Sequence, residues 1–226
     1  MTRGIVGAVV ELKFGKNDPH SGNNLSHNAL EVLQHVLSLK DLTTGEVKIS
    51  GFYDKVRSLD AADRDRLNRM PFDTALYQEE FGLPGIVTRP GYTAQETMWT
   101  QPSYELHSVF RVDREEKPIA LPVGNTIPTD ARAYVTMRIV ADQDPNDIFN
   151  LFKAEVYRRL AEIPGLAPEH LTIKLEGAAH PFYTETSSPS FGAVAAGIME
   201  GFGVSEVDYS GVGGTAMASW KGVLQD

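Results

Sequence analysis

The stretch ARAYVTMRIV, residues 131–140, decides the fold because its side chains alternate between apolar and polar. A β-strand turns successive side chains to opposite faces, so this alternation predicts a strand with one buried face. The residues on the buried face would be Ala131, Ala133, Val135, Met137 and Ile139. Those on the opposite face would be Arg132, Tyr134, Thr136 and Arg138, so Arg138 would point away from the core.

The segment DQDPNDIFNLFKAEVYRRLAEIPG, residues 142–165, follows directly and predicts a helix. Asp144 is suited to cap its N-terminus, and Pro145 to occupy its first position. Its apolar residues recur at helical spacing and predict a buried stripe of Ile148, Phe152, Val156 and Leu160.

Three more stretches alternate like strands, and their apolar residues are Val10, Leu12 and Phe14; Tyr104, Leu106 and Phe110; and Leu171, Ile173 and Leu175. Between the first two lies a helical stripe of Leu25, Ala29, Val32, Leu33, Val36 and Leu37, with Asn24 or Ser26 as its cap. The order β-α-β-β-α-β is typical of a ferredoxin-like α+β domain, which has a four-stranded antiparallel sheet with two helices on one face.

The connection between the first helix and the second strand, residues 41–102, is a long insertion. Most connections hold about 4 to 6 residues, so this one must carry its own structure. Residues 61–70 and 71–82 are compatible with helices, and residues 83–93 are punctuated by Pro and Gly like a loop.

The last part of the chain, residues 181–226, predicts a helix capped by Ser187 or Ser188 and then a glycine-rich turn. These elements have no sheet of their own on which to bury their apolar faces. We therefore expect two domains, a complete one at residues 1–180 with the insertion inside it and an incomplete one at 181–226, in a piece of something longer.

The composition excludes several classes of function. The 226 residues include 30 acidic and 21 basic ones, a net charge of −9, which disfavours nucleic acid and anionic membranes as partners. The chain has no cysteine, so a metal site would have to use His and carboxylate ligands. The N-terminus lacks a signal peptide, and no stretch reaches the roughly 20 apolar residues of a membrane span, which predicts a cytoplasmic protein.

Four separated motifs resemble one family of hydrolases. They are RGIVGAVVELKFGKNDPHSGNN (3–24), GEVKISGFYDKVRSLDAADRDRL (45–67), GNTIPTDARAYVTMRIVADQDP (124–145) and SGVGGTAMA (210–218). The first three look like the lid, or dimerisation, domain of the co-catalytic zinc peptidases and deacylases that include carnosinase, succinyl-diaminopimelate desuccinylase and the aminoacylases. The fourth resembles a glycine-rich turn of their catalytic domain, so residues 181–226 would be part of that domain.

This resemblance implies a hydrolase that cleaves a peptide or N-acyl amino acid bond next to a free carboxylate, with two zinc ions as cofactors. Dipeptidase, carboxypeptidase and deacylase activities stay open. The family's metal ligands and general base lie mostly before the lid, with a last histidine after the part matched here. We therefore expect this chain alone to bind no zinc tightly and to hydrolyse nothing.

The resemblance also assigns roles to single residues. His20 matches a histidine that reaches into the active site of a second subunit and stabilises the oxyanion; without the resemblance it would be a polar turn residue. Asn125, Arg138, Gly213, Gly214 and Thr215 match positions that bind the substrate, Arg138 its carboxylate. The expected partner is a second copy of the chain, bound through the lid, and the alternative is a dimerisation module with no catalysis of its own.

Overall fold

The computed structural model describes residues 1–21, 25–112, 118 and 124–208. Its strands are β1 (Gly4–Lys13), β2 (Ser103–Phe110), β3 (Asp130–Ile139) and β4 (Leu171–Ala179). Its helices are α1 (Ala29–Val36), α2 (Ala61–Arg69), α3 (Thr74–Phe81), α4 (Ala94–Thr100), α5 (Pro145–Leu160) and α6 (Pro189–Phe202).

The four strands form one antiparallel sheet in the order β2-β3-β1-β4. This is the ferredoxin-like arrangement that the order of elements predicts, so the predicted fold class is confirmed. The alternation in β3 is confirmed as well, since its five predicted core residues are at most 2% exposed. Arg132 and Arg138 lie on the other face, opposite Glu11 and Ile5 of β1.

Helices α1 and α5 pack on the buried face of this sheet. Helix α5 begins as predicted, because the Asp144 side chain accepts hydrogen bonds from the backbone N–H groups of Asn146 and Asp147. Its predicted stripe is buried, with Phe152 at 0% exposure. The Tyr104 hydroxyl of β2 donates to the carbonyl of Leu37 at 2.9 Å, which joins the sheet edge to the end of α1.

The predicted start of α1 is wrong. The helix begins at Ala29 with Asn28 as its cap, and Leu25 is 92% exposed. The backbone N–H of Ala29 donates to the carbonyl of Pro128 at 2.8 Å, so the chain reaches this helix along the segment before β3. Asn28 thus caps the helix from within the sequence, and the contact with Pro128 satisfies the N–H of Ala29 in its first turn.

The predicted apolar face of β2 is also partly wrong. A bulge between Leu106 and Ser108 shifts the register, so that Val109 pairs with Ala133 and Phe110 with Arg132. The extra residue of a bulge moves the side chains after it to the opposite face. Val109 therefore packs on the core and Phe110 lies on the other side of the sheet.

The insertion carries α2 and α3, as expected, and also α4, which the sequence interpretation missed. Thr93 and Glu96 form a capping box at its start, a pattern that would have revealed it. Glu96 is fully buried and accepts hydrogen bonds from Arg64 and Asn68 of α2, so the two helices are joined through a carboxylate.

Helix α6 follows the last strand and is capped by Ser188, one of the two predicted caps. None of its residues is buried, and Phe202 is 81% exposed. Among the helices of the described part of the chain, none combines the length and apolar character needed to span a membrane.

Candidate functional site

The turn that carries His20 lies just beyond the end of β1, beside the segment that leads into β3. The N–H of Ile127 donates to the carbonyl of Pro19 at 2.8 Å, and the N–H of Ser21 donates to the carbonyl of Asn125 at 2.9 Å. His20 forms an isolated antiparallel bridge with Thr126 and is exposed. The structure therefore brings two of the predicted site residues, His20 and Asn125, onto neighbouring backbone segments.

Asp18 fastens the same turn to the sheet. One of its carboxylate oxygens accepts hydrogen bonds from the backbone N–H of Thr129 at 2.9 Å and from its hydroxyl at 3.0 Å. The other oxygen pairs with the Arg111 guanidinium at the end of β2. Three segments of the chain thus meet at one carboxylate, two residues before His20.

A cleft of about 710 Å³ opens beside this carboxylate, and Lys13, Asp18, Arg111 and Asp130 are among its lining residues. Burial raises the pKa of Asp130, and the neighbouring Asp18 carboxylate raises it further. Two carboxylates close together disfavour a second negative charge, which the surrounding cations partly offset.

Arg138 lies at the other end of β3, on the sheet face away from the helices. It is partly exposed and pairs with Ile5 on one side and Ser103 on the other. Arg3 lies nearby, where its guanidinium donates to the carbonyls of Met98 and Gln101. Burial and the charge of Arg138 lower the pKa of Arg3 to about 10, so this end of the sheet is cationic at neutral pH.

His20 and Arg138 are therefore not brought together within one chain. The eight residue steps from Asp130 to Arg138 correspond to about 26 Å of strand. His20 lies beyond the Asp130 end, next to Thr126. An extended dipeptide spans only about 7 Å, so one such substrate cannot touch both side chains of the same chain.

The remaining predicted site residues, Gly213, Gly214 and Thr215, lie outside the described residues. Within the described ranges, no three His, Cys, Asp or Glu side chains are grouped so that they could hold a metal ion. The described residues therefore do not form a metal site.

The sequence interpretation missed Arg3 and Asp18. Asp18 stands two residues before His20, but an acidic residue before a proline is ordinary in a turn, so nothing local marks it. Arg3 precedes the first strand, and its sequence position alone suggests an ordinary surface cation. In the structure it is hydrogen-bonded to the end of α4.

Three solved peptidase structures resemble this one over almost the whole chain. An M20 family metallo-carboxypeptidase from Sulfolobus solfataricus matches 97% of this chain and 54% of its own, at 23% identity and a TM-score of 0.76. Human carnosine dipeptidase 1 matches 99% and 47%, at 18% identity and 0.78. The di-peptidase Dug1p of Saccharomyces cerevisiae matches 95% and 43%, at 19% identity and 0.74.

The chain shares its fold with these peptidases. The resemblance inferred from the four motifs is thus confirmed at the level of the fold. The chain spans only about half of their length, 43 to 54%. Neither a scan against protein-family models nor a search of curated proteins found a match.

Proposed function

We propose that the intact protein is a metal-dependent peptidase or N-acyl amino acid hydrolase of the M20 type. In this proposal the present chain supplies the dimerisation and lid domain together with part of the catalytic domain. The observation that carries the proposal is the fold shared with three peptidases over 95 to 99% of the chain. A substrate with a free carboxylate next to the scissile amide fits the cationic end of β3.

His20 would serve as the hydrogen-bond donor for the oxyanion. When a nucleophile attacks an amide carbonyl, negative charge develops on its oxygen, and a donor already in place stabilises that charge. An imidazole N–H can be such a donor. The exposed position of His20 on a turn bonded to the segment before β3 supports this role, because the residue is accessible and the backbone on either side of it is held in place.

Arg138 would bind the substrate carboxylate. A guanidinium can donate two parallel hydrogen bonds to the two oxygens of a carboxylate, which orients the substrate as well as holding it. The partly buried guanidinium of Arg3 nearby adds positive potential. Asn125 would contribute from the segment beside His20, and Gly213, Gly214 and Thr215 from the catalytic part.

The separation of His20 from Arg138 supports a dimer as the active form. If both residues act on small substrates, the two residues of one chain must act in different active sites. A symmetric dimer provides this arrangement, because each subunit can lend its His20 to the site that holds the other's Arg138. The partner would be a second copy of the chain, bound through an edge strand or a helix face of the lid domain.

The two zinc ions implied by the resemblance would supply Lewis-acid chemistry, and their ligands would lie outside the described residues. A cytoplasmic location is part of the same proposal. The alternative is a homodimerisation module without catalysis. It would not explain why His20 is exposed or why Arg3 and Arg138 lie near each other.

The proposal is tested by complementation in the full-length protein. His20→Ala should lower turnover by about 10²- to 10³-fold, the usual loss for one oxyanion donor, with metal content unchanged. Arg138→Ala should mainly raise KM. At substrate concentrations far below KM both variants should be nearly inactive. When they are mixed under these conditions and allowed to exchange subunits, activity should return to about a quarter of wild type, because half of the dimers are mixed and each has one intact site.

Each result separates the alternatives. Recovery on mixing would establish that the two residues act across subunits. Absence of recovery, with mixed dimers shown by mass spectrometry, would refute the shared site. Loss of metal in His20→Ala would make His20 a ligand, and a full-length protein that dimerises but cleaves no dipeptide or N-acyl amino acid would favour the non-catalytic module.

A further inference from the structure

The turn that carries His20 is held by the carboxylate of Asp18, which has no part in the proposed catalysis. Asp18 places both carboxylate oxygens in contacts: Thr129 donates to one from its backbone and its hydroxyl, and Arg111 pairs with the other. The side chain of Asp18 is 26% exposed and that of Arg111 is 11% exposed, so the pair is largely withdrawn from water. Hydrogen bonds to a charged group in such surroundings are stronger than those between neutral groups.

Backbone contacts extend this attachment to His20 itself. Pro19 and Ser21, the neighbours of His20, are each hydrogen-bonded to the segment that holds Asn125 and Ile127. That segment continues into Thr129, the residue that Asp18 binds. The carboxylate and the backbone bonds therefore hold the same two stretches of chain together on either side of His20.

We propose that Asp18 is a positioning residue for His20: it fixes the turn so that the imidazole is presented at one place rather than over a range of positions. This inference rests on the proposed function of His20. An oxyanion donor works only when it is about 3 Å from the developing charge, and a misplacement of about 1 Å can cost about 100-fold in rate. Asp18 touches no reacting atom and acts only through the turn.

Two substitutions separate the parts of this contact. Asp18→Ala removes both attachments. Asp18→Asn keeps an oxygen that can accept from Thr129 and loses the charge that pairs with Arg111. In the full-length protein we expect Asp18→Ala to lower kcat by about 10- to 100-fold, with KM changed by less than about threefold, and Asp18→Asn to lose less. Asp65→Ala, a change at an exposed aspartate of α2, is the matched control and should leave kcat unchanged.

A double-mutant cycle tests whether Asp18 acts through His20. In the background of His20→Ala, removing Asp18 should cost no further kcat, because the turn then has no donor to position. Losses that multiply in the double variant would overturn the inference, and so would a wild-type kcat in Asp18→Ala.

Amide hydrogen exchange on the full-length protein gives a second readout that does not depend on activity. Asp18→Ala should speed exchange at Ser21 and Ile127 by about tenfold or more, while Ala8 in the middle of β1 keeps its rate. Unchanged exchange at Ser21 and Ile127 would overturn the inference even if activity fell. If His20→Ala were fully active, the proposed role of His20 would fail, and faster exchange in Asp18→Ala would still show that Asp18 holds the turn.

Discussion

Gly15 lies where the end of β1 passes closest to Thr129, and replacing it by alanine should destabilise the protein. A Cβ atom at residue 15 would lie 2.6 Å from both Cβ and Cγ2 of Thr129 and 2.8 Å from its Oγ1. Carbon atoms in contact prefer about 3.5 to 4.0 Å, so the two segments would have to move apart by about 1 Å.

That movement would strain the contacts around Thr129. Its carbonyl accepts from the N–H of Phe14 at 3.1 Å, and its own N–H and hydroxyl donate to Asp18. Overpacking of this kind costs about 1 to 3 kcal/mol. The lower entropy of the unfolded chain with alanine would offset only about 0.4 to 1 kcal/mol. We expect Gly15→Ala to lower the free energy of unfolding by about 1 to 2 kcal/mol.

Gly177 of β4 offers a matched control with the opposite sign. A Cβ atom there would meet nothing within 4 Å, and neither glycine has a backbone angle that excludes alanine. Gly177→Ala should therefore leave stability unchanged or raise it by up to about 1 kcal/mol. Urea unfolding followed by circular dichroism measures both, with the m-value checked for constancy. If both variants had the same stability, the close approach of Gly15 to Thr129 would not be a real feature of the fold.

Three further outcomes follow from the fold. Phe152→Ala removes a fully buried ring from the core and should cost about 3 to 5 kcal/mol in urea unfolding. Asn28→Ala should cost about 1 kcal/mol because it removes the cap of α1, whereas Ser26→Ala should cost almost nothing by the same assay. A hydrogen bond from Arg158 helps to lower the pKa of Glu155 from 4.5 to about 2, so its stabilisation is present above pH 4.5 and is lost as the pH falls through about 2. Glu155→Gln should therefore be less stable than wild type at pH 7, and the difference should shrink towards pH 2.

The regular elements were predictable wherever local chemistry and burial agree. Helix α5 has its cap, its proline and its apolar stripe in the expected places, and β3 shows the alternation of a strand between two neighbours. The misses have two kinds of cause. At β2 a strand pairing distant in sequence decides the local structure, whereas the caps of α1 and α4, Asn28 and Thr93, are local signals that the prediction overlooked. The face of β2 changes at a bulge in its pairing with β3.

The candidate site was likewise predictable from the sequence only in part. Motifs in the sequence pointed to His20, Asn125 and Arg138, because a resemblance depends on residue types and their order. They did not show that His20 and Asn125 are neighbours near the start of β3, while Arg138 lies about 26 Å further along that strand from Asp130. Nor did they show Asp18, whose partners Arg111 and Thr129 are far from it in the chain.

The sequence by itself determined the fold class, since the order of strand and helix patterns depends on local periodicity and on which faces must be buried. Only the tertiary structure decided how the site is arranged. Antiparallel pairing of β1 with β3 places the turn at His20 beside the segment before β3, and the length of β3 separates that turn from Arg138. These distances arise from strand pairing, which joins residues more than a hundred positions apart. The local alternation shows which face of a strand is buried but not which strand it pairs with.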